Sequence, residues 1–125
     1  MIVDSSAWVE FLRATGSREH LRIKKALQER SPLLLCSTVL QEVLQGAKNA
    51  KDALLLESGL SSLQRIESTD IFAQAHLAHN CMHAAAGQVL HCAIAALAIE
   101  TGQALLHGNR DFGHIAVIDS RLIFV

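Results

Sequence analysis

The segment MIVDSSAW, residues 1–8, decides how the rest of the chain is interpreted. Ile2 and Val3 are β-branched, and a short apolar run of this kind is typical of a buried strand. The run ends at the carboxylate of Asp4, for which the sequence offers two interpretations. In the first, Asp4 or one of the two serines after it caps the following helix. In the second, Asp4 stands at the carboxyl end of a parallel strand, where open α/β sheets form their binding crevices.

The composition is typical of one folded domain. The chain has 125 residues, of which 50% are hydrophobic and 18% are charged, and this predicts a single globular domain over residues 1–125. No apolar stretch reaches the roughly 18 residues that a membrane span needs. The three cysteines form no C-x-x-C pair, so we expect buried thiols in a reducing compartment, with the cytoplasm as the location. The net charge of −1 gives no argument for general nucleic-acid affinity.

Strand-like and helix-like segments alternate along the chain. Strands are predicted over residues 1–4, 33–36, 104–106, 116–118 and 122–125. Helices are predicted over residues 6–14, 17–30, 38–46, 50–65, 70–85 and 89–101. Ser17 and Thr38 are expected N-caps, and Gly102 is expected to end the last helix. Because nearly continuous apolar strands alternate with helices, the pattern indicates an α/β fold with a central parallel sheet of about four to five short strands flanked by helices.

Three acids follow the predicted strands. Asp4 follows the first strand, Glu42 lies near the start of the helix after the second, and Asp111 follows the third after a short turn. They are therefore expected at the same edge of the sheet. Clustered carboxylates repel each other unless a cation neutralises them, and oxygen ligands suit Mg²⁺ or Mn²⁺. Such a site is suited to metal-dependent hydrolysis of a phosphodiester.

Each acid also has an ordinary structural alternative. Glu42 would complement the helix dipole near the N-terminus of its helix, and Asp111 would form an Asx-turn. The joint placement of the three acids favours the metal site. On that interpretation Asp4 is a metal ligand, and Ser5 or Ser6 is the helix cap.

Three separated segments resemble a known family in the same order along the chain: MIVDSSAWVEFLR, STVLQEVLQGA and GQALLHGNRDFGHIA. From residue 1 to about 118 the sequence resembles PIN-domain proteins, specifically the VapC-type toxins of toxin–antitoxin pairs. The resemblance implies a metal-dependent endoribonuclease that acts on RNA, is inhibited by a cognate antitoxin and forms a homodimer. Asp4, Glu42 and Asp111 match acidic positions of the family. Ser6 matches the small hydroxyl residue that often follows the first acid.

The chain departs from the family pattern at two positions. The segment HCAIAALAIETG resembles a family helix whose first residue is a metal-site Asp, and here that residue is His91. Asn109 stands where the family often has another Asp. Asn109 keeps a carbonyl oxygen as a further metal ligand, and the imidazole of His91 suits Mn²⁺ or Zn²⁺ better than Mg²⁺. Two interpretations stay open: an active ribonuclease, or a catalytically degenerate module that only binds an antitoxin.

Basic side chains near the predicted site are expected to contact phosphates of the substrate. Arg13 and Arg110 are the first of these, and Arg18 and Arg22 are further ones. The alternative is that the early arginines form an ordinary solvated helix face.

A histidine pattern in the helix predicted over residues 70–85 has the spacing of a zinc site. His79 and His83 are four residues apart, and His76 shares their face. A zinc-protease motif needs a glutamate directly after the first histidine, and Asn80 occupies that position. We therefore expect an exposed polar face and no metal at this helix.

Overall fold

Strands and helices alternate along most of the chain. The computed structural model describes residues 1–84 and 88–125. Its elements are, in chain order, β1 (Ile2–Val3), α1 (Ser5–Leu12), α2 (Arg18–Gln28), β2 (Leu34–Leu35), α3 (Ser37–Gln45), α4 (Ala50–Leu60), β3 (Gln64–Arg65), α5 (Ile71–His83), α6 (Val89–Thr101), β4 (Leu105–Leu106) and α7 (Asp111–Ile118). The predicted α/β class is confirmed.

The strand at the start of the chain lies inside the sheet. The strand order is β3-β2-β1-β4, and every pair is parallel. Ile2 of β1 lies opposite Leu34 on one side and Leu105 on the other. A parallel bridge between Leu105 and Phe124 brings the end of the chain to the outer edge of β4. The predicted strand over residues 122–125 is therefore reduced to one bridge.

Buried apolar residues join the sheet to the helices. All residues of β1, β2 and β4 are buried, as a parallel strand covered on both faces requires. The α6 helix is apolar almost all round and supplies seven buried residues, which confirms the prediction of a buried helix. It packs against α5, α7 and α3. Gly102 ends α6 with φ of 63°, a left-handed conformation that suits glycine.

The predicted strand over residues 116–118 is wrong, because these residues form the end of α7. Phe112 and Ile115 are buried three positions apart, and Val117 is 86% exposed. That spacing is helical, and a covered strand would have buried Val117. The apolar run AVI is too short for its composition to separate the two structures.

The helix predicted over residues 50–65 is too long. The α4 helix ends at Leu60, and Gln64 and Arg65 form β3 at the edge of the sheet. Both β3 residues are exposed, so the strand has no apolar pattern by which the sequence would reveal it. The helix predicted over residues 70–85 runs from Ile71 to His83 in the structure, and its predicted end at residue 85 lies outside the described residues.

The two predicted N-caps have different outcomes. Ser17 caps α2 by accepting a hydrogen bond from the His20 N–H at 3.2 Å, as predicted. The Thr38 cap is wrong, because α3 already begins at Ser37. The carboxylate of Glu67 accepts hydrogen bonds from the Ser37 N–H at 2.7 Å and from its hydroxyl at 3.0 Å. A residue 30 positions away thus satisfies the start of this helix, which no local pattern announces.

Within residues 1–84 and 88–125, no helix combines the length and the apolar character that crossing a bilayer requires.

Candidate active site

Asp4 follows β1 and lies at the carboxyl edge of the sheet. Its backbone N–H donates to the Leu106 carbonyl at 2.9 Å, and the residue is fully buried. Its side chain accepts a hydrogen bond from the Ser6 N–H at 3.0 Å, which makes Asp4 the N-cap of α1. The prediction that Ser5 or Ser6 caps this helix is therefore wrong. Because the carboxylate is the cap, the hydroxyls of Ser5 and Ser6 are available for other contacts.

One carboxylate oxygen of Asp4 lacks a partner in the protein. Oδ2 accepts hydrogen bonds from both the backbone N–H and the hydroxyl of Ser6. Oδ1 is buried and has no hydrogen-bond partner within residues 1–84 and 88–125. A buried carboxylate oxygen without a partner is costly. The capping role thus accounts for Oδ2, and Oδ1 is suited to a ligand that the chain does not supply.

Ser6 connects Asp4 to the turn after β4. Its hydroxyl donates to Asp4 Oδ2 and accepts from the Gly108 backbone N–H at 3.0 Å. The two groups are 102 positions apart in the sequence. Ser6 therefore fixes the orientation of the Asp4 carboxylate relative to the segment that carries Asn109 and Asp111.

Glu42 is held at the same edge by Ser5. The Ser5 hydroxyl donates to Glu42 Oε2 at 2.9 Å. Glu42 is half-buried in the second turn of α3, one turn further along the helix than the sequence predicts. Its Oε1 has no protein hydrogen-bond partner in the described ranges. Neighbouring serines on α1 thus orient two acids, Ser6 for Asp4 and Ser5 for Glu42.

Asp111 begins α7 and contacts both residues at which the chain departs from the family pattern. Asn109 Oδ1 accepts from the Asp111 backbone N–H at 2.9 Å, so the Asx-turn here is formed by the side chain of Asn109 and not, as the structural alternative had it, by that of Asp111. His91 Nδ1 lies 2.8 Å from Asp111 Oδ2, and the side chains of His91 and Asp111 are 8% and 24% exposed. With Asp111 as a carboxylate, which only accepts hydrogen bonds, the Nδ1–H of His91 is the donor in this contact.

Two further titratable side chains, Cys92 and His107, have pKa values shifted by burial. Burial raises the pKa of the Cys92 thiol to about 12, with further contributions from Cys81 and from the Asp111 carboxylate. Cys92 therefore stays a protonated thiol at neutral pH and is not a nucleophile. Burial also lowers the pKa of His107, whose ring lies 5.0 Å from that of Phe112 and 4.6 Å from that of Phe124.

The arginines predicted to contact phosphates differ in their exposure and in their contacts within the protein. Arg13 ends α1 and Arg110 precedes α7, and both are exposed. Arg18 donates to the Val125 carbonyl and lies 3.6 Å from Glu19, so it is already occupied. Arg22 is exposed on α2. Arg18 is therefore engaged, whereas Arg13, Arg22 and Arg110 are exposed, and their contact with a substrate stays a prediction.

The predicted metal set is only partly supported by the geometry. No group of three His, Cys, Asp or Glu side chains that could hold a metal ion is found within the part of the chain that the structure describes. Asp4 and Glu42 fit one hard cation, because each keeps a carboxylate oxygen without a protein partner. Asp111, Asn109 and His91 contact one another, and Asp111 Oδ1, like Glu42 Oε1, has no protein hydrogen-bond partner in the described ranges. Their role as metal ligands stays a prediction.

The histidines of α5 lie away from any such site. His76, His79 and His83 are exposed, as predicted. The rings of His79 and His83 lie 4.4 Å apart in an edge-on arrangement. The exposure of the three histidines agrees with the predicted polar face.

An apolar groove lies beside the acidic edge. One cavity of about 480 Å³ is lined from α1, α3 and α4, and a second of about 210 Å³ is lined from α1, α2 and α4. Leu12, Leu55 and Leu56 line both cavities, so the two form one groove. Val43 lines the larger cavity and directly follows Glu42 in α3. The groove thus begins at the helix that carries one of the site acids.

Sequence reasoning missed the contacts that organise the site. It identified Ser6 and His91, yet it did not predict that Ser6 accepts from Gly108 or that His91 donates to Asp111. Ser5 was not recognised as the partner of Glu42. These pairs are far apart in the sequence, and no local signal predicts them.

Comparisons with known proteins agree on one family. The PIN domain model matches residues 1–118. The chain is 34% identical to ribonuclease VapC11 of Mycobacterium tuberculosis over 124 residues, which cover 94% of this chain and 92% of that protein. The fold is similar to that in the crystal structure of VapBC2 from Rickettsia felis bound to a DNA fragment from their promoter, with a TM-score of 0.76, 20% identity and coverage of 99% of this chain and 96% of that chain. FitAcB from Neisseria gonorrhoeae has a TM-score of 0.66 at 14% identity, with the same coverage of both chains.

Proposed function

The chain belongs to the PIN-domain family, and we propose that it is the metal-dependent endoribonuclease toxin of a VapBC-type toxin–antitoxin pair. The observation that carries the proposal is the fully buried Asp4, whose Oδ1 has no protein partner in the described chain, at the edge where Glu42 is also held. The identity to VapC11 along nearly the whole chain supports the same activity. The reaction is hydrolysis of a phosphodiester bond in RNA.

Asp4 and Glu42 would hold a divalent cation, Mg²⁺ or Mn²⁺, with the oxygens that the protein leaves free. A cation bound there activates water and stabilises the charge that develops on phosphate. Ser6 and Ser5 keep the two carboxylates in place through their hydroxyl groups. Positioning of this kind typically contributes about 10- to 100-fold to metal affinity or activity.

The RNA would approach along the exposed basic side chains. Arg13 and Arg110 would contact phosphates that flank the scissile bond, which orients the substrate without reading its sequence. The site acids repel phosphate in the absence of a cation, so these two arginines lower the cost of bringing RNA to the edge. The chain has no tyrosine and one tryptophan, which argues against a platform for stacking bases.

The cognate antitoxin would occupy the apolar groove beside the site. Leu12, Leu55 and Leu56 form a continuous apolar surface that suits the apolar face of an amphipathic helix. An antitoxin helix that extends past Val43 would reach Glu42, where a basic side chain of the antitoxin would neutralise the site acids. Inhibition would then follow from covering the metal site.

The chain is also proposed to act as a homodimer in the cytoplasm. Met82, Val89 and Leu90 are exposed apolar side chains where α5 ends and α6 begins, and they offer a surface for a second copy. Cys36, Cys81 and Cys92 are free thiols, which agrees with a reducing compartment. Sedimentation equilibrium over a range of concentrations tests the dimer, and a single monomer mass throughout would contradict it.

A second candidate function is that of a catalytically silent antitoxin-binding module. It is favoured by the absence of a three-residue metal cluster in residues 1–84 and 88–125 and by the engagement of Asp111 with His91. This alternative keeps the groove and the antitoxin. It predicts that no divalent cation supports cleavage of RNA by the purified chain.

The test of the proposed function is RNA cleavage by Asp4→Asn and Glu42→Gln variants in Mg²⁺ and in Mn²⁺. Both substitutions remove a charge and keep the shape, and Asn is itself a good N-cap, so the fold is retained. We expect each variant to lose roughly 100-fold or more in the cleavage rate, because each removes a group that touches the cation. Glu57→Gln is the matched control, because Glu57 is exposed on α4 and outside the site. If native protein and all variants cleave equally, the site assignment is wrong; if none cleaves, the silent module is supported.

A further inference from the structure

His91 and Asp111 form a hydrogen-bonded pair between a buried and a partly buried side chain. His91 is 6% exposed at the start of α6, and its Nδ1 donates to Asp111 Oδ2 across 2.8 Å. The ring of His91 lies 5.2 Å from that of Phe112, so packing holds it on one side as well. The pair joins α6 to α7 at the edge where Asp4 lies.

The unpaired oxygens of Asp111 and Asp4 lie in different surroundings. Asp111 Oδ2 has an imidazole N–H, and the side chain is 24% exposed, so water can solvate the other oxygen. Asp4 Oδ2 is hydrogen-bonded by Ser6, but Asp4 Oδ1 is buried and has no partner among the described residues. A carboxylate that is compensated by a hydrogen bond to His has less need of a cation than one that is not. The two acids therefore differ in what they require, although both follow strands of the same sheet.

Contacts also lead from the pair to Asp4. The Asp111 N–H donates to Asn109 Oδ1, which fixes the turn after β4. In the same turn the Gly108 N–H donates to the Ser6 hydroxyl, and that hydroxyl donates to Asp4. The side chain of Asp111 is tied to His91 of α6 and its backbone N–H to the turn, so the contact with His91 anchors the turn that orients Asp4.

We propose that the His91–Asp111 pair takes the place of a second cation at this edge, so that the chain binds one divalent ion on Asp4 and Glu42 and uses Asp111 as a positioning residue rather than a ligand. The proposal rests on the proposed function, because it specifies the metal content of that site. It requires that binding of a cation by Asp111 depends on the side chain at position 91. Replacing His91 by Asp removes the N–H donor and places two carboxylates together, and this arrangement needs a cation.

Isothermal titration of the full chain with Mn²⁺ tests the proposal. For the native protein we expect one ion per chain, with binding abolished by Asp4→Asn and changed less than about threefold by Asp111→Asn, which keeps an acceptor for His91. For His91→Asp we expect a second ion or at least roughly tenfold tighter binding. His79→Asp is the matched control, since it makes the same change on the exposed face of α5 and leaves one ion at native affinity.

Thermal unfolding provides a second readout for the same variants. His91→Asp should unfold at a lower temperature than the native chain without metal, and Mn²⁺ should raise its unfolding temperature more than that of the native chain. If His91→Asp does not fold, His91→Asn replaces it, because the Asn amide keeps an N–H donor and should preserve binding of one ion.

The proposal would be overturned by two ions on the native chain, by no ion on it, or by a loss of binding in Asp111→Asn as large as that in Asp4→Asn. An unchanged stoichiometry and affinity in His91→Asp would do the same. If the binding results are as expected but no RNA is cleaved, the proposed function fails and the assignment of the pair stands.

Discussion

The side chain of Ser6 connects two parts of the candidate site. Its hydroxyl donates to Asp4 and accepts from Gly108, so one side chain holds both the acid and the turn after β4. Sequence alone identifies Ser6 as a hydroxyl next to an acid. It does not reveal the second contact, because Gly108 is 102 positions away and uses only its backbone.

Ser6→Ala is therefore expected to have two measurable effects. The free energy of unfolding should fall by about 1 kcal/mol, since a hydrogen bond of this kind contributes roughly that amount. The rate of RNA cleavage should fall by about tenfold, because Asp4 loses the group that orients it. Urea denaturation and single-turnover cleavage measure the two quantities.

Ser61→Ala is the control for this prediction. Ser61 also loses a hydroxyl hydrogen bond, to the Ser58 carbonyl at 2.8 Å, but it is exposed and remote from the acids. Its free energy of unfolding should stay within about 0.5 kcal/mol of native, and its cleavage rate should be native. Equal effects of the two substitutions on cleavage would contradict the role of Ser6.

The residues of the site differ in how far the sequence predicts them. Asp4, Glu42 and Asp111 each follow a strand that apolar runs reveal, and the structure places Asp4 and Glu42 at one edge through contacts with neighbouring serines. The partner of Asp111 was not predictable in the same way. His91 lies 20 positions earlier, and only the packing of α6 against α7 brings the two side chains together.

At the level of elements, distant acids satisfy polar groups at the start of α3 and just before α5. Glu67 satisfies the start of α3, and Glu100 near the end of α6 satisfies the segment before α5. Glu100 accepts from the Thr69 N–H at 3.0 Å and from the Thr69 hydroxyl at 2.7 Å, and it also accepts from the Ser68 hydroxyl. A capping pattern in the local sequence therefore predicts α2 correctly and α3 incorrectly.

The Glu100 contacts predict a specific pH dependence of stability. Hydrogen bonds from Ser68 and then from Thr69 lower the pKa of Glu100 below its ordinary value of 4.5. A carboxyl whose folded-state pKa is lowered stabilises the fold above its unfolded-state pKa, and this contribution is lost as the pH falls through the folded-state pKa. Glu100→Gln should therefore unfold at a lower temperature than the native chain at pH 7, and the difference should shrink below about pH 4.5.

Melting temperatures measured from pH 7 down to pH 3 test this dependence. Glu57→Gln, on an exposed position of α4, should follow the native curve throughout. A Glu100→Gln curve that stays parallel to the native curve at all pH values would show that the charge on Glu100 does not matter.

At the scale of the whole molecule, the sheet was the most predictable feature and its edges were the least. Apolar runs identify β1, β2 and β4 because both faces of these strands are covered. β3 is polar and exposed, and the chain end meets β4 through a single bridge, so neither has a pattern to detect. The groove is likewise formed by side chains of separate helices, and it exists only once those helices pack.

The groove gives the last prediction, which concerns partner binding. Leu55 is 64% exposed but lines both cavities of the groove, whereas Leu21 is 55% exposed on α2 and lines neither. Leu55→Glu should weaken binding of the cognate antitoxin by roughly 30-fold or more, because it places a charge in an apolar contact. Leu21→Glu should change the affinity by less than about threefold.

Both variants should keep the free energy of unfolding within about 0.5 kcal/mol of native, since both positions are on the surface. Surface plasmon resonance with immobilised antitoxin measures the affinities, and equal affinities for the two variants would place the antitoxin elsewhere on the molecule.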